Sequence, residues 1–342
     1  MIKVENKFSN RMVAYYFDAS FSFIDTLADK HNCILLTDKN IAELYQSKFS
    51  SYKTIVIEAG EAFKQQYTVD TIIQQLIELG ADRKTTLVGI GGGVVTDITG
   101  YVASVYMRGI DFAFVPTTIL AMVDAAIGGK NGIDVGVYKN MVGTINQPKY
   151  LLYDFSFLET LPNEQWINGF AEIIKHACIK DALLFQELEN NTLDVYKTNK
   201  DVLVDLIKKN ATLKTDVVVK DEYETSERKL LNFGHTFGHA IENLYQLPHG
   251  HAISIGMVIA AKISEEINNL YSDEKERLTQ LLQKYGLPIQ LNFDKEKVLS
   301  ILKMDKKRVK EEIDFILLNN IGEAVIMPIS LTQVEDLVNQ IL

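Results

Sequence analysis

The pattern that most restricts this chain is an alternation of short apolar runs and amphipathic stretches over its first 150 residues, replaced afterwards by long helical patterns. Apolar runs at 33–37, 54–57, 85–90 and 112–115 read as strands. Between them, Val69, Ile72, Ile73, Leu76 and Leu79 recur at helical spacing, and Gly80 supplies a stop. Gly91-Gly92-Gly93 opens a further helix, expected to reach Met107. Strands separated by helices pair in parallel and are covered on both faces. Beyond Leu151 glycine thins, and helices are expected over 164–179, 181–188, 200–217, 230–244, 253–270 and 273–285, with Pro288 ending the series. Runs at 314–318 and 324–327 flank Asn319-Asn320-Ile321-Gly322 as a small hairpin. Residues 332–335 resemble a capping box for a last helix. A chain of 342 residues exceeds one ordinary core. The expected fold is therefore an α/β domain over 1–150 and a mostly α-helical domain over 151–342. A cleft between such domains is the usual place for a ligand.

Composition narrows the partners. The apolar fraction of 47% and charged fraction of 23% are those of a globular protein. A net charge of −10 argues against nonspecific nucleic-acid binding and against an anionic membrane surface. Cys33 and Cys178 lie far apart in apolar segments, which fits a reducing cytosol and no disulfide framework. The N-terminus lacks the apolar core of a signal peptide, and no apolar run is long enough to span a bilayer. The expectation is a cytoplasmic protein acting on a small molecule.

Four of the six histidines, His235, His239, His249 and His251, fall within 17 positions. His235 and His239 stand four apart, so a helix would present both on one face. Glu172 and Lys175 share a helical face in an apolar segment, where a carboxylate needs a partner. Glu172, His235 and His249 make a two-nitrogen, one-oxygen set that suits Zn²⁺ with coordination left open. The triple glycine follows a strand and precedes a helix, a setting for a pyrophosphate. It is not the usual dinucleotide fingerprint, because no third glycine stands at the required place. Asp97 in that helix could complement its dipole or touch a ligand. Asp38, at a strand end, could hold a ribose hydroxyl. Thr117, Thr118, Asp124, Gly128, Gly129 and Lys130 crowd after another strand, with Arg108 before them and Lys139-Asn140 after. Together they look like an anion site. Lys214, Arg228, Asn232 and Asp305-Lys306-Lys307 add cations suited to a small polyanionic substrate carrying phosphate, carboxylate or both. Each feature alone also fits a structural role: a core histidine, a turn, a surface ion pair.

These motifs, in this order, resemble the 3-dehydroquinate synthase family. The resemblance rests on Gly60-Glu61 with Lys64, on Gly91-Gly92-Gly93 with Asp97 and Gly100, and on Tyr106-Met107-Arg108-Gly109. It continues through Pro116-Thr117-Thr118, Asp124, Gly128-Gly129-Lys130, Lys139-Asn140, Gln147-Pro148 and Ala171-Glu172-Ile173-Ile174-Lys175. Arg228, Leu231-Asn232-Phe233-Gly234-His235, Gly238-His239 and Asp305-Lys306-Lys307 complete it. The resemblance implies a Rossmann-like NAD-binding domain joined to a helical metal-binding domain. It implies NAD⁺ and a divalent metal, Zn²⁺ or Co²⁺, acting on 3-deoxy-D-arabino-heptulosonate 7-phosphate. Oxidation at C5, loss of phosphate, return of the hydride and an aldol closure would give 3-dehydroquinate, a step in aromatic amino acid biosynthesis.

Carried over, Glu172, His235 and His249 would hold the metal. Lys130, Asn140, His239 and Arg108 would hold the phosphate, Arg108 coming from the second subunit of a homodimer. Lys214, Arg228, Asn232 and one of Lys306 or Lys307 would read the carboxylate end. Asp124 and Lys175 would contact ring hydroxyls or their waters. Asp38, Asn40, Glu61, Lys64, Gly92, Gly93, Asp97, Thr117, Thr118, Lys130, Lys139 and Thr160 would hold NAD. The family usually has Glu where this chain has His251, so His249 and His251 compete for the metal; His249 is preferred because Gly250 follows it directly. Three other readings compete: a sister sugar phosphate cyclase making a cyclitol, a metal-dependent polyol dehydrogenase that releases NADH, and an inactive NAD-binding scaffold.

Overall fold

The computed structural model describes residues 1–136, 138–304, 308–309 and 312–341. Its strands up to residue 153 are β1 (Ile2–Lys7), β2 (Met12–Phe17), β3 (Cys33–Asp38), β4 (Lys53–Ile57), β5 (Thr86–Gly91), β6 (Asp111–Pro116), β7 (Lys130–Val135), β8 (Tyr138–Ile145) and β9 (Tyr150–Tyr153). Seven of them form one sheet in the order β1-β2-β9-β6-β5-β3-β4. Every neighbouring pair is parallel except the β1–β2 edge. The parallel core is the expected one: all six residues of β5 are buried, as a strand covered on both faces must be. Tyr16, Leu35, Val88, Ala113 and Leu152 pack on one face of this sheet. The carboxyl ends of β3, β5 and β6 lie side by side, which is where open α/β sheets bind ligands.

Several elements differ from expectation. β1, β2, β9 and the antiparallel β7–β8 hairpin have no counterpart among the expected strands. β8 is exposed at most positions on both faces, so it carries no period-two signal to read. The helix expected from Gly91 starts at Gly93, because Gly91 still belongs to β5 and Gly92 caps the turn. It ends at Val105, short of Met107, because Met107 and Arg108 take left-handed conformations (φ 50° and 67°).

The chain folds as two interleaved compact units, Met1–Trp166 with Val204–Tyr223, and Ile167–Leu203 with Glu224–Leu342. One boundary near residue 150 was expected. The helix Lys200–Lys220 lies largely in the first unit, where Tyr15 Oη and Thr215 Oγ1 are 3.0 Å apart. Just beyond it, Glu222 accepts from Gln147 Nε2 at 2.7 Å and from the Ser9 N–H at 3.1 Å.

The second unit is mostly helical, with helices Ala182–Asn190, His235–Tyr245, His249–Ile267 and Ser272–Lys284. The helix Asn163–Lys180 starts in the first unit and continues into the second. A three-stranded antiparallel sheet joins β10 (Arg308–Val309), β11 (Glu312–Asn320) and β12 (Glu323–Ser330). Phe237, Ile241, Ile255, Ile259, Phe315 and Leu337 belong to the core this sheet shares with the helices. The last helix, Leu331–Ile341, is capped by Ser330, whose Oγ accepts the Gln333 N–H at 3.2 Å. The cap is therefore Ser330, two residues before the expected Thr332.

Candidate active site

In the second unit, a left-handed glycine sets where the histidine helix begins. Gly234 has φ 78°, so 230–234 cannot continue the helix and His235 is its first residue. The next helix begins at His249 behind Pro248, four residues before its expected start. The two helices meet through glycine: a Cβ on Gly256 would lie 1.9 Å from the Gly234 carbonyl. Likewise a Cβ on Gly250 would lie 2.1 Å from the Asn168 carbonyl. Backbone contact at these points brings His235, His239 and His249 together, with ring centroids 5.0–6.1 Å apart.

Glu172 sits beneath them, fully buried, on the helix Asn163–Lys180. Its Oε1 is 3.3 Å from His249 Nε2 and 3.7 Å from His235 Nε2. Its Oε2 pairs with the Lys175 ammonium, itself only 1% exposed. Glu172, His235 and His249 each offer a ligand atom, all within 4.8 Å of one another. His235 Nδ1 lies 3.0 Å from the Phe233 carbonyl, which can only accept, so the ring's Nε2 lone pair faces Glu172. Burial and then the Lys175 charge push the His235 pKa well below its usual value, keeping the imidazole neutral as a ligand must be. His249 behaves oppositely. Burial lowers its pKa, but hydrogen bonds to Glu172 and Glu242 outweigh that and raise it to about 10. Such an electron-rich cradle, with a neutral imidazole beside it, fits a divalent cation. His239, Glu242 and His249 form a second close group that shares His249, whereas His251 enters neither. Glu242 went unremarked in the sequence; its Oε2 is 3.4 Å from His249 Nδ1, the position of an outer carboxylate that orients a ligand histidine. Arg228 is buried in the turn Glu227–Asn232, and Asn232 Nδ2 donates to Glu224 at 2.8 Å. Lys306 lies outside the described residues, as do Asp305 and Lys307.

In the first unit, the glycine turn after β5 is tightly enclosed. A Cβ on Gly92 would meet the Thr118 methyl at 3.2 Å, and one on Gly93 would meet Ala125 at the same distance. Thr117 donates its N–H to the Gly91 carbonyl, and its buried hydroxyl has no hydrogen-bond partner. A close backbone approach, a helix N-terminus and a spare hydroxyl suit a nucleotide. Thr118 Oγ1 accepts from the Ala121 N–H, opening a wide helical turn, Ala121–Ala125, that carries Asp124. Lys214 donates to both Asp124 Oδ1 and the Asp124 carbonyl at 2.7 Å.

Lys64, 4% exposed, pairs with Asp97 at 2.5 Å and donates to Asn140 Oδ1 at 2.6 Å. Burial works against the Lys64 ammonium, yet Asp97 and Glu61 hold its pKa above the usual lysine value. Burial raises the Asp97 carboxyl, with Lys64 opposing. Lys139 reaches Glu61 at 3.8 Å, and Lys130 opens β7 at the surface. Asp38 caps the helix Lys39–Leu44 by accepting the Ile41 N–H, which leaves Asn40 exposed in its first turn. Thr160 Oγ1 is 2.7 Å from Tyr45 Oη. Thus Lys64, Asp97, Lys139, Glu61 and Asn140 gather around one hairpin, while Asp38 caps its own helix and Thr160 meets the distant Tyr45.

Fold and donor set define an α/β protein with a glycine turn at a strand's carboxyl end and a buried carboxylate–imidazole group able to hold a divalent metal. Residues 54–168 match the 3-dehydroquinate synthase N-terminal family, and residues 169–308 the 3-dehydroquinate synthase C-terminal family. A 3-dehydroquinate synthase from Thermodesulfovibrio yellowstonii is 41% identical over 84% of this chain and 82% of its own. The chain belongs to the 3-dehydroquinate synthase family. Among solved structures, a 2-deoxy-scyllo-inosose synthase complexed with carbaglucose-6-phosphate, NAD⁺ and Co²⁺ superposes with a TM-score of 0.86, at 25% identity over 100% of both chains. A 2-epi-5-epi-valiolone synthase from Streptomyces hygroscopicus, with NAD⁺ and Zn²⁺ bound, gives 0.84 at 27% identity over 92% of each chain.

Proposed function

We propose that this chain converts 3-deoxy-D-arabino-heptulosonate 7-phosphate to 3-dehydroquinate, with phosphate as the leaving group. The buried cluster of Glu172, His235, His249 and Lys175 carries this reading, in a chain of a family so named. When bound, NAD⁺ would accept and return a hydride, and the divalent metal would acidify the hydroxyl being oxidised. Glu172, His235 and His249 would hold that metal. Lys175, anchored on Glu172, would face the ring hydroxyls, and His239 one helical turn from His235 would serve the phosphate. On the first unit, Gly92, Gly93, Thr117, Thr118, Lys64 and Asp97 would hold NAD, and Lys130 and Asn140 the phosphate. Arg228, Asn232 and Lys214 would read the carboxylate, as the family resemblance implies. The test is turnover by the protein loaded with NAD⁺ and Zn²⁺. Phosphate should be released without net accumulation of NADH. Stoichiometric NADH would make the protein a dehydrogenase, and no phosphate release would make it a scaffold.

The same reading makes the protein a cytoplasmic homodimer. Free, buried Cys33 and Cys178 accord with a reducing compartment. Among the described residues, no helix is long and apolar enough to cross a membrane. Val135, Tyr138, Met141, Val142 and Ile145 stand exposed on the β7–β8 hairpin, with Val105 and Met107 exposed on the helix end and turn before it. An apolar surface of that kind calls for a cover, and a second copy provides one. The left-handed turn at Met107 and Arg108 leaves Arg108 exposed next to the exposed Met107. Mixing inactive Arg108→Ala chains with inactive Lys175→Ala chains should then restore activity, to about a quarter of native for random two-fold pairing. No recovery after demonstrated subunit exchange would place Arg108 in its own chain's site.

A further inference from the structure

Asp134 lies at a register shift in the β7–β8 hairpin, between Ile133 and Val135. Such bulges re-aim a side chain next to a functional site. Here the Asp134 N–H donates to the Lys64 carbonyl at 2.8 Å, and residues 65 and 134 form an isolated parallel bridge. The Asp134 side chain is thereby turned across the hairpin, and its Oδ1 accepts the backbone N–H of Asn140 at 2.7 Å. Asn140 has φ 53°, a left-handed conformation uncommon for L-residues and best tolerated by asparagine among them, and the bond from Asp134 holds it there. Its amide is fixed from the other side by Lys64 at Oδ1. An ammonium can only donate, so the atom it meets must be the carbonyl oxygen. That leaves Nδ2, a pure donor, pointing away from Lys64 on an exposed residue.

We infer that Asp134 is a positioning residue for anion binding: it locks the left-handed backbone of Asn140 while Lys64 locks its amide, so that Nδ2 is presented to a phosphate. This rests on the proposed role of Asn140 in phosphate binding. Asp134 itself touches no ligand and acts through Asn140. Nothing in the sequence pattern flagged it, because no strand was expected over the β7–β8 hairpin and Asp134 belongs to none of the motifs read there.

The test is calorimetric titration of inorganic phosphate into the metal-loaded protein at saturating NAD⁺. Asp134→Ala should weaken phosphate binding roughly tenfold, the scale of one lost charge-assisted hydrogen bond. Asp134→Asn keeps an acceptor at Oδ1 and should bind within about twofold of native. Asn140→Gly, which keeps the backbone conformation but loses the amide, should be at least as weak as Asp134→Ala. The double variant Asp134→Ala/Asn140→Gly should be no weaker than Asn140→Gly alone, because the two residues act in series. If Asn140→Gly binds phosphate normally, the phosphate role of Asn140 falls. If Asn140→Gly is weak and Asp134→Ala is native-like, that role stands and the positioning role of Asp134 falls. Should Asp134→Ala fail to fold, Asp134→Asn still decides: a loss as large as that of Asn140→Gly overturns the acceptor role.

Discussion

Glu172→Ala is expected to yield protein that retains no divalent metal through dialysis and turns over no substrate. Two imidazoles remain in that variant, and they make a poor site for Zn²⁺, which is held in catalytic sites by three protein ligands. The loss in metal affinity should exceed the roughly 10–100-fold that removing an outer-shell partner costs. A second effect accompanies it. Lys175 is 1% exposed and its ammonium pairs with Glu172. Truncating one member of a buried ion pair strands the other, at a cost of about 3–5 kcal/mol. Glu172→Ala should therefore also melt earlier. The double variant Glu172→Ala/Lys175→Met should recover most of that stability and none of the metal. Metal content by elemental analysis and melting by calorimetry separate the two roles. Full metal occupancy with native turnover in Glu172→Ala would remove Glu172 from the ligand set.

The split in those roles shows why parts of this protein were legible and others were not. Glu172 and Lys175 could be paired from sequence because they are three apart on one helix, where spacing dictates a shared face. His235 and His239 were legible for the same reason. The parallel strands β3, β5 and β6 were visible as continuous apolar runs, because burial on both faces leaves nothing polar to interrupt them. What stayed hidden depends on contacts far apart in the chain. Gly256 matters because Gly234, 22 residues earlier, sits against it. Asn140 meets Lys64 across 76 residues. Glu242 reads as one acidic position in an amphipathic helix until His249 is placed beside it. The start of the helix at His249 was missed because Pro248-His249-Gly250 has the composition of a loop. In the structure Pro248 is the cap, and Gly250 is required by the nearby Asn168 carbonyl.

Arg228→Ala is expected to cripple turnover of the heptulosonate phosphate while leaving NAD and metal bound. The fold does not by itself set the substrate, since a 2-deoxy-scyllo-inosose synthase superposes with a TM-score of 0.86. What separates the substrates is a carboxylate, present on the heptulosonate and absent from a simple sugar phosphate. Arg228 is 2% exposed, in the turn Glu227–Asn232 that leads into the histidine helix. A guanidinium there stays charged and offers a planar fork that can meet a carboxylate through two hydrogen bonds. Removing it would leave the substrate carboxylate without its partner, at a cost of about 2–5 kcal/mol. At about 1.4 kcal/mol per decade, that is roughly thirtyfold to several-thousandfold in kcat/KM. Arg228→Lys should recover only part of the loss, because an ammonium keeps the charge but not the fork. Native protein should likewise reject sedoheptulose 7-phosphate, which brings no carboxylate to the buried cation. Efficient cyclisation of sedoheptulose 7-phosphate by the native protein, or near-normal turnover by Arg228→Ala, would make a cyclitol-forming cyclase the better description. Loss of bound NAD or metal in Arg228→Ala would instead assign Arg228 to holding the site together.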